Sequence, residues 1–227
     1  MLFLHGILGS PRHFDFFLPL VPENWSIWTL LLPGHGGTCG DFSRTNMGEW
    51  KCAVEKAIDE LRENHDRIFI AAHSMGTLLA VMAAQKNPEK IAGIFALAMP
   101  LKIGFTAKAA LSCLHAAYRP AETDSPFQRA TRECTSITLS KNPFAYVGWI
   151  IRFLELFSLS REIRREMPQL KIPCFAIQSS KDELVSLRSM HYTGKAETLV
   201  LHESSHYFYS SDDLETIKNE FKIFLNT

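Results

Sequence analysis

Six short apolar runs punctuate this chain, separated by longer amphipathic segments. That rhythm constrains the fold more than any other feature. Apolar runs a few residues long, alternating with helix-length segments, are the pattern of a parallel sheet covered by helices. The runs are Leu2 to His5, Ser26 to Leu32, Arg67 to His73, Ile91 to Ala98, Ile172 to Gln178 and Thr198 to His202. Between them, Glu49 to Arg62 places Trp50, Val54, Ala57, Ile58 and Leu61 at helical spacing, with a polar opposite face. Met75 to Lys86 is apolar all round, so it reads as a buried helix stopped by Asn87-Pro88. Asp212 to Leu225 repeats the amphipathic pattern, with Asp213 and Glu215 in the first turn where the helix dipole favours acids. The expected fold class is α/β: a mostly parallel sheet of about six strands, flanked by helices.

One stretch breaks the rhythm. From Leu101 to Met167 there is no strand-like run, only helical segments interrupted at Arg119-Pro120, Ser125-Pro126 and Asn142-Pro143. The expected division is therefore a core of residues 1–100 and 168–227, with 101–167 inserted as a helical cap. The cap is mildly basic. Its aromatic residues Phe144, Trp149 and Phe153 are candidates to line an apolar substrate pocket; the alternative is that they pack the cap against the body.

Composition removes several classes. Lys plus Arg and Asp plus Glu both number 24, so no basic face for nucleic acid is indicated. The five cysteines are odd in number, scattered and never in a CxxC pair, which argues against a disulfide framework or a structural zinc. No run reaches the length of a membrane span, and the first residues lack the charged region of a secretory leader. A cytoplasmic location is the expectation.

The strongest local signal is Ala72-His73-Ser74-Met75-Gly76, with a strand entering and a helix leaving. So sharp a turn admits only small residues two places either side of the serine, and it lifts the hydroxyl above the sheet edge. The rival reading is a serine that merely caps a helix. A serine hydroxyl needs a base to act as nucleophile. His206, in the turn after the sixth run, is the candidate, and His202 at the strand end is its rival. The base needs a carboxylate to fix its tautomer. Asp182, after the fifth run, is the candidate, with Glu183 as the weaker rival. Serine, acid and histidine then lie on loops that share one end of a parallel sheet. The backbone N–H groups of Met75 and Ile7 are the expected donors to a tetrahedral oxyanion. His5 is expected to hold the loop that carries Ile7.

The stretches LFLHGILGS, LLPGHGGT, AAHSMGTLLA, SSKDELVS and ESSHYF together resemble the α/β-hydrolase superfamily, in particular its carboxylesterase and monoacylglycerol-lipase-like group. They run from Leu2 to Phe208, nearly the whole chain. The resemblance implies a triad of Ser74, Asp182 and His206, an oxyanion hole of Ile7 and Met75, and a cap over the site. It also implies that no metal or organic cofactor is used and that the partner is a small ester. Ala72 and Ser205 stand where the family often has glycine. The pattern implies hydrolysis of short- or medium-chain esters or monoacylglycerol-like lipids. A thioesterase, a cofactor-free peroxidase, a carbon–carbon bond hydrolase or a non-catalytic binding protein on the same fold remain as alternatives.

The family usually carries two further strands before the His-Gly strand, which here begins at Met1. If they are absent, the Ser26 to Leu32 strand lies at a sheet edge and invites pairing with a second copy. The expected outcome is a homodimer in light scattering at micromolar concentration; a clean monomer removes the idea.

Overall fold

The computed structural model describes residues 1–104, 115, 119 and 121–226. The rest of the expected cap, including the Pro120 break, lies outside the described residues. Six parallel strands form one sheet: β1 (Leu2–Leu4), β2 (Trp28–Leu30), β3 (Ile68–His73), β4 (Ile91–Leu97), β5 (Cys174–Ser179) and β6 (Glu197–Leu201), in the order β2-β1-β3-β4-β5-β6. All six expected strands are present. The second is shorter than Ser26 to Leu32, and the fifth sits about two residues later than expected.

The four inner strands β1, β3, β4 and β5 are buried on both faces, and their side chains alternate between two cores. Leu2, Leu4, Ile68, Ile70, Ala72, Ile94 and Ala96 point to one face. There they meet α1 (Cys39–Arg44), α2 (Met47–Asn64) and α3 (Met75–Lys86). Phe3, Phe69, Phe95, Ile177 and Leu201 point to the other. Phe14 and Phe17 from the N-terminal turns cover that face, together with Phe221 and Phe224 of the C-terminal helix. The rings of Phe17 and Phe221 lie 4.3 Å apart. Capping boxes at Thr38 and Asn46 start α1 and α2 by satisfying orphan N–H groups reciprocally.

The inserted segment divides in two. Its first described helix, α4 (Pro126–Cys134), follows a Ser125 capping box with Pro126 at the first turn. The second, α5 (Val147–Glu166), buries Leu156, Leu159, Ile163 and, just beyond, Met167 in the first core, against α1 and α3. This is the crossover helix that a right-handed connection from β4 to β5 requires. Within the 101–167 stretch, the later half of α5 thus packs in the same core as the sheet. Opposite that seam, Phe144 just before the helix and Val147, Ile150, Ile151 and Leu154 along its first half are exposed. The chain closes with α6 (Ser211–Leu225). No helix among the described residues is long and apolar enough to cross a membrane.

Strand order reverses between β1 and β3, so the loops leaving their C-terminal ends diverge and open a crevice. Helix α3 leaves that crevice hard against β1. A Cβ on Gly76 would overlap the carbonyl oxygen of Leu4 and come within 2.7 Å of that of His5. Backbone cannot yield as a flexible side chain can. Gly76→Ala is therefore expected to destabilise the fold by about 3 kcal/mol or more. Urea unfolding checks this, and a midpoint equal to the native one would show that the helix can move away.

Candidate functional site

The switch-point crevice receives the expected residues from three loops. Ser74 joins β3 directly to α3 with φ 50° and ψ −124°, a conformation side-chain-bearing residues rarely adopt. Its N–H bonds to Leu97 O at 2.9 Å, and its carbonyl accepts from Thr77 N–H and from the Thr77 hydroxyl at 2.7 Å. The backbone is thus pinned on both sides of the strain. The Ser74 hydroxyl makes no capping hydrogen bond, so the helix-cap reading does not describe it. Gly6 faces it across the crevice, where an added Cβ would come within 2.8 Å of Ser74 Cβ. Only glycine lets the His-Gly loop approach the serine this closely.

Asp182 and His206 form a buried pair, with Nδ1 of His206 donating to Oδ2 of Asp182 at 2.8 Å. The aspartate is held further. Its Oδ1 accepts from the N–H groups of Leu184 and Val185, each at 2.8 Å, and its Oδ2 accepts from Gln178 Nε2 at 3.0 Å. A carboxylate fixed by four donors can turn neither itself nor the imidazole. Nδ1–H is then the tautomer, leaving a lone pair on Nε2. No hydrogen bond joins Ser74 Oγ to His206 among the described residues. Such contacts are commonly long in resting sites and tighten when substrate binds.

The rivals lie differently. His202 is exposed at the end of β6. Glu183 is buried, but its Oε2 faces the backbone N–H of His206 at 3.5 Å, and burial pushes its carboxyl upward. The N–H groups of Ile7 and Met75 both sit at the crevice, Met75 on the first turn of α3. Ile7 follows Gly6, which packs against the serine, and both Ile7 and Met75 are buried residues.

The three aromatic candidates fall elsewhere on the inserted segment. Phe144 is 80% exposed on the apolar stripe preceding and entering α5. Trp149 is 8% exposed; its Nε1 donates to Cys39 O at 3.2 Å, and its ring lies edge-on to Phe42 at 5.0 Å. Phe153 packs half-buried against the first core. Trp149 and Phe153 thus follow the packing alternative, since α5 needs an apolar seam with α1.

Histidines make up the part of the site that sequence reasoning missed. His73 Nε2 donates to the carbonyl of His206 at 3.0 Å. His13 lies against His73 with ring centres 3.9 Å apart, and its Nε2 meets the Tyr209 hydroxyl at 3.2 Å. His5 holds the Gly6 loop as expected: Nδ1 donates to Gly6 O at 2.8 Å, and Nε2 accepts from Leu32 N–H at 3.0 Å. Isolated histidines scattered along the sequence carry no sign that they will cluster. Among the described residues no three His, Cys, Asp or Glu side chains are grouped to hold a metal. Burial lowers all the non-triad members: His5 and His13 to about 3, His35 to about 4, and His73 well below the usual value.

These groups are neutral when folded and titrate near 6.5 when unfolded. Stability is therefore complete above pH 6.5 and falls as acid protonates only the unfolded chain. Each buried histidine contributes a loss of about 1.4 kcal/mol per pH unit between 6.5 and its folded value. Urea midpoints are expected to fall steeply from pH 6.5 to 4.5. A flat profile would show that the histidines titrate freely in the native state.

Relatives point to the same fold. A thermostable monoacylglycerol lipase from Bacillus sp. (strain H-257) is 32% identical over 98 residues, 41% of this chain and 38% of that protein. The dihydrolipoyllysine-residue acetyltransferase component of an acetoin cleaving system from Cupriavidus necator is 27% identical over 104 residues, 46% of this chain and 27% of that protein. Both matches thus span well under half of those relatives. Among solved structures, a metagenome-derived lipolytic enzyme described with LipS and LipT superposes with a TM-score of 0.72 at 22% identity, covering 99% of this chain and 92% of that one. The monoacylglycerol lipase of Paleococcus ferrophilus gives 0.70 at 16% identity, with the same coverage. At those identities the superpositions establish the fold alone. The model of the alpha/beta hydrolase family matches residues 1–218, and the chain belongs to that family.

Proposed function

We propose that this chain is a serine hydrolase that cleaves carboxylic esters through an acyl-enzyme on Ser74. The observation that carries the reading is the buried Asp182–His206 hydrogen bond of 2.8 Å, which leaves Nε2 as a base on the serine's side of the sheet. His206 Nε2 takes the proton of Ser74 as Oγ attacks the ester carbonyl. The oxygen becomes an anion and receives the N–H groups of Ile7 and Met75, aided by the positive end of α3. The tetrahedral intermediate collapses, His206 returns its proton to the departing alcohol, and the acyl group stays on Ser74. Water then enters, loses a proton to His206 and releases the acid. Asp182 stabilises the imidazolium in both halves without taking its proton.

Base, nucleophile and donors all come from the chain, so the mechanism calls on no metal or organic cofactor. Short- or medium-chain acyl esters and monoacylglycerol-like lipids are the proposed substrates. The monoacylglycerol lipase of Bacillus among the relatives supports this. The inserted segment before α5 is the proposed cover of the site.

The test is labelling by a fluorophosphonate, with hydrolysis of p-nitrophenyl esters of increasing chain length, on native protein and Ser74→Ala. Native protein is expected to label and turn over. Ser74→Ala is expected to lose labelling and about 1000-fold or more in kcat. A folded native chain that neither labels nor hydrolyses any ester would overturn the reading.

A further inference from the structure

Leu8 is an anomaly that the triad does not explain. It follows Ile7, and it holds φ 60° although it is neither glycine nor asparagine. A left-handed leucine persists only where its surroundings over-determine it. Here both of its peptide groups are held, from two distant parts of the chain. Its N–H donates to Nε2 of His35 at 3.2 Å. Its carbonyl accepts from Ser136 N–H at 2.9 Å.

The two anchors are themselves joined. The Ser136 hydroxyl donates to Gly9 O at 2.6 Å and accepts from Gly36 N–H at 3.2 Å, beside His35. Thr138 N–H donates to Gly37 O at 2.8 Å, and Ile137 between them is buried in the first core. His35 is fixed by Nδ1 donating to Pro33 O at 3.2 Å, which makes Nε2 the acceptor that Leu8 needs. Burial holds the ring neutral, so that lone pair stays available. The inserted segment thus reaches back through Ser136 and closes a ring over the Gly6 to Gly9 loop.

We propose that His35 and Ser136 are positioning residues that clamp Leu8 and thereby aim the Ile7 N–H at the oxyanion. The proposal rests on the hydrolase reading and deepens it. Neither side chain touches the reacting atoms. Their effect is on transition-state stabilisation, because an oxyanion donor acts only when already placed where charge will develop. A donor displaced by about 1 Å loses on the order of 100-fold.

Steady-state kinetics on esters, fluorophosphonate labelling rates and thermal melting would be measured for the native chain, His35→Ala, His35→Gln, Ser136→Ala, Ser136→Thr, the double alanine variant and Ser74→Ala. The alanine variants are expected to lower kcat and the labelling rate about 10- to 100-fold, with KM within about twofold. His35→Gln, which keeps an acceptor at similar reach, and Ser136→Thr, which keeps the hydroxyl, are expected to recover most of the loss. The double variant is expected to fall little below the worse single one, because both act on one residue, Leu8. If His35→Ala does not fold, the Ser136 pair carries the test.

Alanine variants that keep native kcat, or that lose KM and melting temperature in step with kcat, overturn the clamp. So does a failure of both conservative variants to recover activity. If Ser74→Ala is inactive while the clamp variants are not, the hydrolase reading stands and only the clamp falls. If Ser74→Ala keeps native activity, both fall.

Discussion

The close approach of α3 to β1 is the constraint on which the site depends. Gly76 lets the helix backbone rest on the carbonyls of Leu4 and His5, and Gly6 lets the loop after β1 rest on Ser74. With a side chain at either place, Ser74 and the loop of Gly6 and Ile7 would no longer share one crevice. The strained Ser74 backbone follows from the same geometry, since a strand that becomes a helix within one residue must pass through an unfavourable φ. The bonds to Leu97 and Thr77 hold that residue in place. The rest of the sheet then supplies Asp182 and His206 from neighbouring strand ends.

Much of this was legible because each signal was local. The alternation of Leu2, Phe3 and Leu4 between two cores, and the apolar stripe of Trp50, Val54 and Leu61, are periodicities that survive in any tertiary setting. Ser74 could be read from its small neighbours, because a steric demand at fixed sequence offsets leaves a mark in the sequence. His206 and Asp182 were recognisable through chain order and strand ends. The structure puts them in hydrogen-bond contact with one another, although the Ser74–His206 bond is not formed.

What could not be read depended on long-range packing. A segment carrying Phe144, Trp149, Ile150, Phe153 and Leu156 shows apolar residues on several faces, and nothing local says which face meets the body. The structure turns Trp149 and Leu156 inward and leaves Phe144 and Ile150 outside. The role of α5 as a crossover was hidden for the same reason: a segment rich in turns masked a single helix that the sheet topology requires. His13 meets His73, and His35 meets His5, only through the fold, with His13 and Tyr209 meeting across 196 positions.

That spacing has a consequence for how the molecule matures. The strained turn at Ser74 needs only neighbouring strands, but His206 arrives from far along the chain: it meets His73, the residue before the serine, across 133 positions. Contacts of such separation close late, because the entropy of a long loop must be overcome before they form. Partly folded species that already show helix and sheet would carry Ser74 with His206 unplaced. The proposed ester hydrolysis would then be a stricter gauge of completed topology than any spectroscopic count of secondary structure.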